Sequence, residues 1–233
     1  GIKGTIESRI GIADVTGANA AQLYEQKNGY GFWVLYDTDG SILQDYFGVP
    51  KEAVLGIAFP EWADENGRII EATALLNGWY VDAGDTEGNR VAGVFTHEFG
   101  HAINLSHSQV NGPLVYSSYP YDGYRRYPGV PGCVDPVYAS NWYDESVNRA
   151  DTAIIETMYP FIDTFSNVGQ EQSTITHPDD AAAISNLYPT PAYLTGRGSI
   201  GGVLRLKDGR TQFSGINVIA RNVANPLFDA VSA

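Results

Sequence analysis

The sequence predicts an α+β domain followed by a β-rich tail. Three observations lead there. Strand-like apolar runs at 32–36, 53–59 and 68–77 precede a helix-period segment at 89–105 and a last helix at 179–187. The 43% hydrophobic and 12% aromatic content is enough to build a core. The charge changes sign along the chain: residues 1–190 carry 25 acids and 9 bases, a net of -16, whereas 191–233 carry 2 acids and 5 bases, a net of +3. That step falls at Pro189-Thr190-Pro191-Ala192-Tyr193, a Pro-interrupted stretch of linker type. The expected division is therefore a domain at 1–190, a linker at 191–197, and the start of an incomplete β-sandwich-like domain at 198–233.

Each element has a local cause. Residues 17–28 read as a short helix ending near Asn28-Gly29. The run FWVLY at 32–36 is a buried strand closed by the turn Asp37-Thr38-Asp39-Gly40. Residues 53–59 form a second strand and 68–77 a third, which alternates only weakly. The helix at 89–105 carries apolar Val91, Val94, Phe95, Ala102 and Leu105. Residues 106–157 are rich in Tyr, Gly and Pro and show little periodicity, the mark of a long functional or irregular loop. The loop holds Tyr116, Tyr119, Tyr121, Tyr124, Tyr127 and the single cysteine, Cys133, read as an inert thiol. Asp179 and Asp180 open the last helix, where acids suit the helix dipole, and His177 before them reads as a solvated loop residue. In the tail, 200–206 and 215–220 are strand-like, with a turn at Lys207-Asp208-Gly209-Arg210.

The net charge of -13 makes nucleic acid and anionic membranes poor partners, since the chain repels phosphates. No apolar stretch reaches the roughly 20 residues that span a bilayer. The chain starts at Gly1 without a signal-peptide pattern, as in a mature form, an excised piece or a cytosolic protein, and one cysteine permits no intrachain disulfide.

The chemistry lies in His97-Glu98-Phe99-Gly100-His101-Ala102-Ile103-Asn104-Leu105-Ser106-His107. Helix positions four apart share a face, so His97 and His101 can present two imidazoles to one metal. Glu98, beside the first ligand, is placed to act as general base on water. His107 is too far along to stay on that face, so the helix must end and the chain turn back. Asn104 stands where the turn needs a left-handed residue, and Asn tolerates that conformation best after Gly. Three neutral histidines leave a fourth position open, which is the catalytic zinc arrangement.

This pattern resembles the metzincin zinc endopeptidases, closest to the matrixins, with Asn104 in place of the family's glycine. The only methionine, Met158, lies in Glu156-Thr157-Met158-Tyr159-Pro160 and looks like the matrixin Met-turn. The resemblance spans roughly 30–190, with strong motifs at 97–107 and 156–160. It implies a metzincin-type domain: a twisted mixed sheet, an active-site helix and a C-terminal helix. It also implies zinc held by His97, His101 and His107, with Glu98 moving the proton of a zinc-activated water. Met158 would be an apolar floor, with Tyr159 and Pro160 walling a substrate pocket. Residues 68–77 would be the edge strand that receives an extended peptide. The implied protein is a secreted, monomeric endopeptidase acting on proteins or peptides. Two departures stand out: the stretch from His107 to Met158 is longer than in typical matrixins, and the region before Phe32 is short, as if truncated.

Matrixins usually carry structural calcium, and Asp37-Thr38-Asp39-Gly40-Ser41 starts like a calcium loop. It lacks the later acidic ligand, so a plain turn is the preferred reading and calcium at Asp37 and Asp39 the alternative. The acidic loops at 64–67 and 82–89 share that ambiguity. Two rival functions stay open: a catalytically weak zinc-binding surface or adhesion module, and a zinc hydrolase of non-peptide bonds. An intact Glu98 argues against the first.

Overall fold

Residues 69–77 alternate only weakly between apolar and polar, and the structure shows why. In the computed structural model, strand β3 (Ile69–Asn77) runs through the middle of a three-stranded sheet of order β1-β3-β2. Strand β1 (Gly31–Asp37) is parallel to it and β2 (Gly56–Ala63) antiparallel. The structure describes residues 15–81, 88–110, 156–160, 177–224 and 229–232. The tyrosine-rich stretch with Cys133, the acidic loop from 82 to 87 and the first 14 residues lie outside the described residues.

Both faces of β3 are covered, which removes the alternation of a half-exposed strand. Leu75 points to one side, with Val15, Leu23, Ile42 and Leu43. These belong to or flank helices α1 (Ala20–Tyr24) and α2 (Ser41–Phe47). Leu76 points to the other side and packs with Val94 of helix α4 (Asn89–Ala102), with Val91 and Phe95 against them. A short helix, α3 (Gly78–Val81), leads out of β3. On the first face, Lys27 pairs with Glu61 and donates to Thr73 Oγ1 at 2.8 Å, near the buried Glu71 carboxylate. This ties the end of α1 to the sheet.

The expected edge strand at 68–77 is therefore a central strand. The edge beside α4 is β2, which has no partner on its outer side among the described residues. Pro60 explains the assignment: it has no N–H to donate and fits only an edge or a bulge. The register shifts beside it, between Pro60 and Trp62 and between Trp62 and Ala63.

Helix α5 (Pro178–Leu187) starts with Pro at its first turn and uses His177 as its cap: His177 Nδ1 accepts from Asp179 N at 3.2 Å. His177 is 2% exposed, so it is buried and not the solvated loop residue that the sequence suggests. Residues Pro191–Gly196 form a further short helix, α6, capped by the Thr190 hydroxyl on Tyr193 N at 3.2 Å. In the tail, the turn at 207–210 forms, with Gly209 at φ 67° and a bridge between Arg205 and Gln212. The regular strands lie further on, as β4 (Ile219–Arg221) paired antiparallel with β5 (Ala230–Ser232), and β5 packs on α5.

Candidate metal centre

Helix α4 places His97 and His101 one turn apart, and the helix stops directly after them. Its end satisfies the freed carbonyls in a Schellman pattern. Leu105 N donates to Gly100 O at 2.9 Å and Asn104 N to His101 O at 2.9 Å. Asn104 sits at φ 74°, the only left-handed non-glycine among the described residues, as the turn-back requires. The reversal brings His107 over the helix. His101 Nε2 lies 3.1 Å from His97 Nε2 and 3.1 Å from His107 Nε2.

The proton positions follow from the other ring nitrogens. His97 Nδ1 donates to Thr157 O at 2.7 Å and His101 Nδ1 to Leu105 O at 2.8 Å. A carbonyl only accepts, so these Nδ1 atoms hold the protons and both Nε2 atoms present lone pairs to each other. Lone pairs facing at that distance repel unless a cation lies between them. Tetrahedral zinc with bonds near 2.0–2.1 Å would separate its nitrogen ligands by about 3.3 Å, close to what is seen. Burial lowers the His97 pKa to about 4, its hydrogen bond to Thr157 opposing, and burial also lowers that of His107. Both imidazoles are thus neutral, as ligands must be. The residues fit a zinc ion.

Met158 is 3% exposed and lies under α4. A Cβ at Gly100 would run into its sulfur, so the glycine inside the histidine motif makes room for the methionine. Asp180, on the first turn of α5, fixes this segment: its Oδ2 accepts from Thr157 N at 2.7 Å and its Oδ1 from Met158 N at 3.1 Å. Burial, opposed by these two hydrogen bonds, raises the Asp180 pKa to about 6. From the sequence, the two acids of α5 read only as dipole partners, because the backbone that Asp180 holds lies more than 20 residues upstream.

Glu98 is 5% exposed, and desolvation pushes its carboxyl up to about 8. Its Oε2 has no hydrogen-bond partner among the described residues. The side chain runs against Gly56 of β2, where an added Cβ would sit 3.0 Å from Glu98 Cγ, Glu98 Oε1 and Leu75 O. Such a carboxyl can take up and release a proton near neutral pH. Tyr159 is half-buried and Pro160 exposed, directly after Met158.

Asp37 and Asp39 serve locally. Asp37 Oδ2 accepts from Ile42 N at 2.9 Å and Leu43 N at 3.1 Å, capping α2, while Asp39 accepts from Ser41. Among the described residues, His97, His101 and His107 form the one group of three metal-ligating side chains, their ligand atoms within 4.8 Å of one another.

Fold and site together define the class: a mixed α+β scaffold whose helix α4 carries two members of a histidine triad. The matrixin family model matches residues 45–128, a stretch that runs from the end of α2 through the whole triad. The chain is matrixin-like over that stretch, and the match and the triad together support a zinc metallopeptidase in general. No curated protein and no solved structure matches the chain.

Proposed function

We propose that the protein is a zinc-dependent endopeptidase that hydrolyses internal peptide bonds of protein or peptide substrates. The observation that carries this reading is the convergence of three Nε2 atoms, two of them fixed by Nδ1 bonds to backbone carbonyls. Zinc, when bound, polarises the scissile carbonyl and makes water a nucleophile near neutral pH. His97, His101 and His107 hold the ion. Glu98 takes the proton of the attacking water and passes it to the leaving amine.

Substrate binding follows from the sheet. The outer edge of β2 offers free backbone groups to an extended peptide, which would add as a further strand up to Pro60. By matrixin likeness, Tyr159 and Pro160 wall the pocket for the side chain after the cleaved bond. A secreted monomer, kept soluble by its acidic surface, fits the charge balance.

The test is digestion of a peptide library. Cleavage within peptides is expected, abolished by a chelator and restored by stoichiometric zinc. Cleavage that survives chelation, or release of terminal residues alone, would sink the endopeptidase reading. A zinc-loaded protein that cleaves no peptide would point instead to a surface module or a hydrolase of other bonds.

A further inference from the structure

We propose that the C-terminal hairpin β4–β5 is a positioning device for His107, so that docking of the tail sets metal affinity. This rests on the reading of His107 as a zinc ligand. His97 and His101 stand on α4, and their rings are fixed by Nδ1 bonds. His107 stands on irregular chain, exposed, after the turn at Asn104. Its place depends on what holds the residues that follow it.

Those residues are held from the tail. Val110 O accepts from the Arg221 guanidinium at 2.8 Å, and Gln109 O accepts from Asn217 Nδ2 at 3.1 Å. Ser108 Oγ donates to Asp179 Oδ2 at 2.7 Å. The other oxygen of that carboxylate, Asp179 Oδ1, accepts from Ser232 N at 2.6 Å and from Ser232 Oγ at 3.0 Å. Three consecutive residues after His107 are thus tied to the tail, two directly and one through Asp179. The inner part of the junction is buried: Ser108 is 7% exposed, and Val110 and Ala230 are 1% exposed, while Gln109 and Asn217 lie at its exposed rim. A guanidinium on a buried carbonyl is a charge-assisted bond, stronger than a neutral one. Ser108 N also donates to Met158 O at 2.8 Å, so the clamped segment rests on the Met-turn as well. An appendage that merely followed the domain would have no cause to converge on this segment.

A ligand loop that must be ordered upon binding weakens binding by the entropy of ordering it. Outer partners of metal ligands typically alter affinity by 10- to 100-fold. In the full chain, Arg221→Met combined with Asn217→Ala is expected to raise the zinc Kd about tenfold, read by competition with a chromogenic chelator. The visible absorption of the cobalt-substituted protein should shift, because the third imidazole moves. Arg221→Lys, which keeps a charged donor, should recover part of the affinity. The melting temperature of the zinc-free protein should fall by no more than a few degrees, the effect of one or two lost hydrogen bonds. If the double variant fails to fold, Asn217→Ala alone, at an exposed position, should weaken zinc in the same direction by a smaller factor. Wild-type zinc affinity and an unchanged cobalt spectrum in these variants would overturn the clamp. Failure of the wild type itself to take up zinc would overturn the metal reading with it, so the two failures are told apart.

Discussion

Glu98→Gln is expected to lower kcat about a thousandfold while the protein still binds one zinc per chain. The amide has nearly the shape of the carboxyl, so it fits the narrow space against Gly56 and the Leu75 carbonyl. It cannot accept the proton of the attacking water. Zinc content stays because Glu98 is not among the three converging ligands. The same substitution should stabilise the zinc-free protein above neutral pH. Burial raises the folded pKa of Glu98 from 4.5 to about 8, so its protonated form is the one the fold favours. Its contribution to stability is therefore full below about pH 4.5 and is lost as pH rises through about 8. Gln carries no charge and escapes that loss. Thermal unfolding in chelator at pH 6 and pH 9 checks it: the gap between variant and wild type should widen at the higher pH. Equal cleavage by the two proteins would remove Glu98 from the chemistry.

Asp180→Ala should cost on the order of 3 kcal/mol of stability, because two buried N–H groups, on Thr157 and Met158, lose their acceptor. The damage should reach the metal. Thr157 O is what orients His97, so a loosened Met-turn frees that ring, and zinc affinity should fall along with stability. The pH dependence has a definite sign. The folded pKa of Asp180 is raised from 3.8 to about 6, so this group's contribution is full below about pH 4 and lost as pH climbs through about 6. Asp180→Asn keeps the side-chain shape and one acceptor and should flatten that dependence. Denaturant unfolding of the three proteins between pH 4 and pH 7 reads both effects. A variant as stable as wild type would mean that the Met-turn is held by something else.

Two ligands of the centre were legible in the sequence because helix geometry alone fixes them, and the third because the helix has to end before it. Four-residue spacing put His97 and His101 on one face, and the need to reverse the chain called for a left-handed residue where Asn104 stands at φ 74°. The strands were legible as apolar runs, but their order was not. Weak alternation in 68–77 reflects burial on both faces and so marks a central strand, while Pro60 marks the edge. Helix α2 was missed because its cap comes from Asp37, four residues before its first residue, with Gly40 in the cap position itself. His177 looked like solvated loop chain because nothing local shows that it caps α5 beside Glu156. The meaning of Gly56, Gly100 and Asp180 is likewise tertiary: each is explained by an atom from a different element.

A zinc ion on His97, His101 and His107 would be seen by X-ray absorption at the zinc edge. One zinc per chain is expected, with three imidazole nitrogens at about 2.0–2.1 Å and an oxygen completing the shell. That signal should be lost in His101→Ala. A chain that takes up no zinc, a shell containing sulfur, or a His101→Ala spectrum identical to wild type would contradict it.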